Sequence, residues 1–468
     1  MSFHQLLFPF VFLPLSLVFF GVLPGKAKKY SLLLCSLIFI AWGNPGDLVL
    51  LIGSALFNYA SGLELRQFRR RGANRRAKTV LVTSIAVNLL FLGFFKYFNF
   101  AVENLNALLH VSLGRNPMTA PIGISFFTFS ALSFLLDVYR GVGTVPKNPV
   151  DFILYITFFP KLTSGPILQY NAWESQISSL SLQREKVEGG ARLFVMGLAK
   201  KLLLANTLAL PFQAISALPG DALTALSAWI GALTYTFMLY FDFSGYSDMA
   251  SGVSLMFGIV TPKNFKYPYR AVSVTDFWRR WHVSLGAWFR DYVYIPLGGS
   301  RQGNAITLRN TMIVWLLTGI WHGANWTFVV WGLLHGVMIV IEKFLLKKPL
   351  SKLPNVLRAV LTFLGVVVGW VFFFSPSLSS AMQFLKAMCF RQALADATAF
   401  YYLRGSWLLL LVAGIGATPL LHRVGVALRK QRVRWYFPAL VISFCLLLAL
   451  CIAAMVSDTY TSFLYAQF

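Results

Sequence analysis

The sequence predicts an all-α polytopic membrane protein, and three observations carry that prediction. Charged residues make up only 12% of the chain and hydrophobic ones 57%, whereas a soluble domain carries about 25% charged residues. Apolar runs recur along the whole length, at 6–22, 79–97, 223–241, 359–374, 408–421 and 437–455. Several approach the roughly 20 residues that cross a ~30 Å hydrocarbon core. The runs are continuous rather than alternating, and backbone groups in lipid must be satisfied internally, so they are helices and not barrel strands. About ten to twelve spans are expected, in one membrane domain over all 468 residues.

The run at 6–22 lacks a basic leader and a small-residue cleavage site, and Pro9 and Pro14 interrupt it. It is expected to remain as the first helix. Basic clusters follow at 26–29 and 66–78, the second holding seven basic residues in "RQFRRRGANRRAK". Between them lie two short apolar segments joined by "GNPGD", which has no positive charge. Basic loops stay in the cytoplasm, which puts both clusters inside, and "GNPGD" and the N-terminus outside. The net charge of +25, from 41 Lys and Arg against 16 acids, is then a matter of topology. Membrane lipids are the expected partners, and nucleic acid is not.

Three later stretches are expected to be irregular or half-spanning: "IGISFFTFSALSFLLD" (122–137), "FFPKLTSGPI" (158–167) and "FDFSGYSDMASG" (241–252). Such backbone is tolerated at membrane depth only where protein buries it or it lines a watery cavity, so an internal cavity is expected. The four cysteines, Cys35, Cys389, Cys445 and Cys451, have no metal-like spacing, and no metal site is expected.

The segment 263–309 holds eight basic residues and two acids yet is dense in Trp and Tyr. "SVTDFWRRWHVSLGAWFRDYVYIPLGG" reads as one interfacial helix, capped by Ser273 or Thr275 and ended by Pro296, Gly298 and Gly299. Phe277, Trp281, Leu285, Trp288 and Tyr292 recur at helical spacing as one aromatic face, and Arg279 and Arg290 share another. Trp281 and Trp288 are expected at the cytoplasmic interface, with His282 turned into the protein.

Of six histidines, His4, His110 and His422 lie near segment ends or in a loop and are read as structural. His282, His322 and His335 fall in a stretch that also holds seven of the thirteen tryptophans. Ionisable residues within spans are functional hypotheses, because their cost must be offset. Three chemistries compete. Haem ligation by His322 and His335 would need further histidines from a partner helix. Proton-coupled transport would sit better with repeated halves, which the chain lacks. Acyl transfer needs a neutral imidazole near pH 7 to take a proton from an attacking hydroxyl.

Five stretches taken in order decide among these: "PIGISFFTFSALSFLLDVYRG" (121–141), "FFPKLTSGPI", "YFDFSGYSDMASGVSLMFGI" (240–259), "NFKYPYRAVSVTDFWRRWHVSLGAWFRDYVYIPLGGSR" (264–301) and "GIWHGANWTFVVWGLLHG" (319–336). They resemble the successive signature blocks of the membrane-bound O-acyltransferase family, in particular its bacterial alginate O-acetylase-like branch. The resemblance runs over roughly residues 1–345. It divides the chain into N-terminal helices (1–120), a catalytic core (121–345) and C-terminal helices (346–468) that match only as generic membrane helices.

The resemblance implies a ring of helices around a central tunnel, with re-entrant and interfacial pieces. It also implies an O-acetyltransferase that moves acetyl groups from cytoplasmic acetyl-CoA to an envelope or exported polysaccharide of alginate or cellulose type. Peptidoglycan export is the alternative acceptor chemistry, and proton-coupled transport the alternative outside enzymes. The active-site histidine carries over to His322, and the family's second histidine to His282. His335 has no transferable role. Trp321, Asn325, Asp242 and Tyr246 are expected near the tunnel, with Asp248, and Asp242 and Asp248 are expected to form ion pairs. Lys263, Lys266, Arg270, Arg279, Arg280 and Arg290 are expected to attract the phosphates of coenzyme A. No tightly bound cofactor is expected, only acetyl-CoA as donor, and a periplasmic SGNH hydrolase-like partner would finish the transfer.

Overall fold

A computed structural model describes residues 1–389, 393–430 and 435–457. Every regular element among them is helical. The first half of the chain runs through α1 (Leu13–Val22), α2 (Lys28–Gly43), α3 (Pro45–Arg70), α4 (Asn74–Leu109), α5 (Ile124–Arg140), α6 (Pro149–Thr157), α7 (Phe159–Leu162), α8 (Tyr170–Ile177), α9 (Arg184–Ala199) and α10 (Asn206–Ser216). It continues through α11 (Ala225–Met256), α12 (Val274–Trp278), α13 (Val283–Phe289), α14 (Asn304–His322), α15 (Trp326–Phe344), α16 (Lys347–Ser351), α17 (Asn355–Phe374), α18 (Leu378–Met388), α19 (Ala397–Gly416), α20 (Leu420–Lys430) and α21 (Tyr436–Ser457). Among the described residues, seven helices are long and apolar enough to cross a membrane: α3, α4, the continuous stretch Arg184–Ser216, α15, α17, α19 and α21. The chain is therefore a multi-pass membrane protein. The count falls below the ten to twelve expected: Phe8–Val22 is too short, while α11 and α14 are long enough but are not apolar enough to be among the seven.

The chain divides into two compact units, 1–194 with 247–262, and 195–246 with 263–468. In the first, Asn44 caps α3 by accepting from the Gly46 amide at 3.1 Å, and Pro45 occupies its first turn, a favourable helix start. Asp47 in that turn also accepts from the Ile122 amide at 3.0 Å. The hairpin of α3 and α4 is locked by Asn58 and Asn88, whose amides donate to each other at 3.1 and 2.8 Å. Such pairs hold membrane helices where apolar burial cannot. The stretch 122–137, expected to be irregular or half-spanning, is mostly the regular 17-residue helix α5, almost wholly buried and not among the seven spans. The stretch 158–167 is broken as expected: after the four-residue α7 the chain has no regular structure until α8. Lys161 is buried there, its Nζ 3.1 Å from Ser130 Oγ and 3.4 Å above the Tyr155 ring.

The stretch 241–252 was also expected to break, and it does not: it lies inside the 32-residue α11. Two features keep this polar sequence helical. Small residues allow close packing, since a Cβ on Gly245 would lie 2.7 Å from the Gly197 carbonyl oxygen and one on Gly252 2.5 Å from that of Gly190. In the second unit, Asp242 is neutralised by Lys201 at 2.7 Å, both fully buried. Lys201 sits in a π-turn, Lys200–Ala205, that joins α9 to α10, and such turns interrupt helices often at functional positions.

Candidate functional site

All three candidate histidines lie in the second unit, brought together by the α14–α15 hairpin and the segment before it. The two helices approach at glycines: a Cβ on Gly319 would lie 2.5 Å from Phe328 O, and one on Gly332 would run into the Trp315 carbonyl. His322 is the last residue of α14, 1% exposed. Its Nδ1 lies 2.6 Å from the carbonyl oxygen of Thr318, one turn earlier. A carbonyl only accepts, so Nδ1 donates, and the neutral ring keeps its lone pair on Nε2.

The segment expected as one continuous helix is broken at His282. α12 stops at Trp278, α13 starts at Val283 and a π-turn, Arg290–Tyr294, follows. His282 itself adopts a left-handed backbone, φ 45° and ψ 52°, uncommon for a non-glycine residue. Asn264 enforces the break. Its Oδ1 accepts from the Ser284 amide at 3.1 Å and the Ser284 hydroxyl at 2.9 Å, and lies 3.2 Å from His282 Nδ1. Its backbone oxygen accepts from the Val283 amide at 3.0 Å. Ser273 caps α12 through the Asp276 amide, and Glu342 Oε2 accepts from the Val274 amide at 2.5 Å.

The expected aromatic face is nevertheless buried in full: Phe277 of α12, Trp281 in the break, Leu285 and Trp288 of α13 and Tyr292 of the π-turn all point inward. Trp281 and Trp288 therefore pack inside the protein rather than at an interface. Trp281 stands 4.9 Å from the Trp370 ring and 5.6 Å from Phe277. His282 points inward as expected, 1% exposed and edge-on to Phe243 at 4.6 Å. It lies outside the seven spans. Burial, with His322 nearby as the lesser cause, pushes its pKa well below the ordinary histidine value, so it is held neutral.

Trp321 stands between the two histidines, its ring 6.0 Å from that of His282 and 4.9 Å from that of His322. His322 also meets Trp331 at 4.7 Å. His335 is enclosed by rings: Trp278 Nε1 donates to its Nδ1 at 3.3 Å, and Trp331 and Trp315 lie 5.2 and 5.5 Å away. It packs the core.

A cavity of about 480 Å³ opens beside these rings, lined among others by Trp278, Arg279, His282, Gly286, Arg290 and Thr318. It thus joins His282, the turn that orients His322 and two of the expected arginines. The remaining expectations are redistributed. Arg280 is off this cavity and pairs with Asp276 at 2.9 Å, while Arg290 forks onto Asp291 at 2.7 and 3.1 Å. Asn325 is a helix cap, accepting from the Thr327 amide at 3.0 Å and donating to Pro376 O at 2.9 Å. Asp242 is paired as expected, with Lys201 instead of an arginine. Tyr246 is buried within α11, and neither residue lines the cavity. Lys263 and Lys266 are exposed off it, and Arg270 lines a separate groove. Asp248 belongs to the other unit.

Sequence reasoning missed Asn264, Lys201 and Thr318. Thr318 is legible in retrospect, four residues before His322 on one helix. No local signal marked the other two, whose partners lie 18 and 41 positions away.

The model of the membrane-bound O-acyltransferase family matches residues 54–385. A probable alginate O-acetylase of Pseudomonas syringae pv. tomato is 42% identical over 83% of this chain and 75% of its own. A peptidoglycan O-acetyltransferase of Helicobacter pylori is 36% identical over 82% of this chain and 79% of its own. A teichoic acid D-alanyltransferase of Bacillus subtilis is 29% identical over 54% of this chain and 68% of its own.

Proposed function

Because this chain belongs to the membrane-bound O-acyltransferase family and is an O-acyltransferase, we propose that it transfers acetyl groups from cytoplasmic acetyl-CoA to a polysaccharide outside the inner membrane. An SGNH hydrolase-like periplasmic partner completes the delivery. The N-terminus faces the periplasm, and the acceptor is an exopolysaccharide of alginate or cellulose type. The higher identity to the alginate enzyme than to the peptidoglycan enzyme supports that acceptor.

His322 is the general base. Its Nε2 takes the proton of the attacking hydroxyl as that oxygen bonds to the thioester carbonyl carbon. The C–S bond then breaks, and the departing thiolate takes the proton back from the imidazolium. The observation that carries this reading is the bond from Nδ1 to the Thr318 carbonyl. It fixes the tautomer, and the same carbonyl stabilises the imidazolium when it forms. His282 orients the donor in the cavity, and Trp321, packed against both imidazoles just behind the lining, holds His322 in line with it. Arg279 and Arg290 attract the coenzyme phosphates at the cavity rim.

The test is release of free coenzyme A from acetyl-CoA by purified protein with its acceptor system. Transferase chemistry requires that release, and requires its loss in His322→Ala. Equal release by wild type and variant refutes the role of His322. No release by either favours transport without acyl chemistry.

A further inference from the structure

A second concave site lies away from the histidines, in the same unit. It is a groove of about 460 Å³, lined by Phe237 of α11, Tyr269, Arg270 and Val272, the first turns of α17 (Asn355 to Phe363) and the end of α19 (Gly414, Ala417, Thr418). Its volume is within the range of small-molecule sites. Its walls are almost wholly apolar, and two of them, Val356 and Val360, are 77% and 46% exposed on the membrane-spanning α17. On a span, that exposure faces lipid. The groove runs from Asn355, the first residue of α17, to Phe363, eight residues on, or about 12 Å along the helix axis. It therefore starts at headgroup depth and enters the acyl-chain layer.

The polar end is basic. Arg270 is exposed at the groove, and among the described residues no carboxylate lies within ion-pairing distance of it. No acidic side chain lines the groove. Lys352 precedes Asn355 by three residues and is exposed, within about 11 Å by chain length alone. The floor is rigid: the Tyr269 hydroxyl donates to Thr236 O at 2.7 Å, and its ring stacks on Phe277 at 6.0 Å. A glycine leaves the wall open, for a Cβ on Gly414 would meet nothing within 4 Å.

We propose that this groove holds one anionic glycerophospholipid of the surrounding bilayer, its phosphate on Arg270 and an acyl chain along Val356, Val360 and Phe363. A zwitterionic lipid would satisfy the apolar walls, but its own ammonium would offset the phosphate charge offered to the guanidinium. Free phosphate would satisfy the arginine but leave the walls bare.

The test uses full-length protein in nanodiscs of equal phosphatidylglycerol and phosphatidylethanolamine, followed by native mass spectrometry of retained lipid. Wild type is expected to retain phosphatidylglycerol preferentially. In Arg270→Gln that preference should fall about fivefold, the value of one basic residue near an anionic surface, while Arg270→Lys keeps most of it. Gly414→Phe, which fills the groove, should lose the retained lipid of both kinds. Equal retention of the two lipids by wild type, an unchanged preference in Arg270→Gln, unchanged retention in Gly414→Phe, or displacement of the lipid by millimolar inorganic phosphate would each overturn the proposal.

Discussion

His322 donates from Nδ1 to the carbonyl oxygen of Thr318, 2.6 Å away on the same helix. One contact thus sets the tautomer, the ring orientation and the nitrogen that carries the lone pair. His322→Ala should insert and accumulate normally, since removing a buried neutral ring strands no charge. Acetylation should fall by about 10²–10⁴-fold, the span of a positioned acid–base group. His322→Gln can still donate to Thr318 but cannot accept a proton, and should be as inactive. Envelope acetylation and membrane abundance, measured together, check both; an active Gln variant would move the base to His282.

Asn264 holds His282 in its left-handed backbone through three acceptor contacts. Asn264→Ala leaves the buried Ser284 amide and hydroxyl without their acceptor and should cost about 1–3 kcal/mol. Asn264→Ser keeps a short, uncharged accepting oxygen and should retain more stability and activity. Thermal unfolding in detergent, with initial rates for both variants, tests this; equal losses would show that the side-chain oxygen is not what holds the turn.

The buried pair Lys201–Asp242 has a different signature. Asp242→Asn leaves an ammonium uncompensated in a dry core and should destabilise by about 3–5 kcal/mol. Replacing both, as Lys201→Met with Asp242→Leu, should restore much of the membrane abundance. A double variant no better than the single one would mean that the charges act separately.

Arg279 and Arg290 line the cavity, and Asp291 already holds Arg290. Arg279→Gln should therefore raise the acetyl-CoA KM more than Arg290→Gln. Both effects should shrink as salt rises, because salt screens the wild-type attraction that the variants lack. An increase in KM independent of ionic strength would indicate a packing role.

A cytoplasm-dependent reporter fused near Arg71 should be active, from the basic cluster at 66–78. Labelling of a cysteine placed there by a periplasmic reagent would falsify the proposed orientation.

Helical class, membrane residence and the family were legible in the chain itself, and so was the inward placement of His282. These depend on composition, on run length against bilayer thickness and on contiguous blocks such as "RRWH" and "IWHG". The aromatic positions from Phe277 to Tyr292 were legible too, because burial follows helical spacing even across a break.

Only the tertiary structure decided where the breaks fall. Local patterning called for a continuous helix through His282, but Asn264, eighteen residues earlier, offers a better set of hydrogen bonds and ends it. The same patterning called for irregular backbone at 241–252, yet Lys201 and the facing glycine contacts keep α11 whole. In each case a polar side chain was matched by a partner distant in sequence, and in a membrane interior that match outweighs local propensity, because an unsatisfied polar group there costs several kcal/mol.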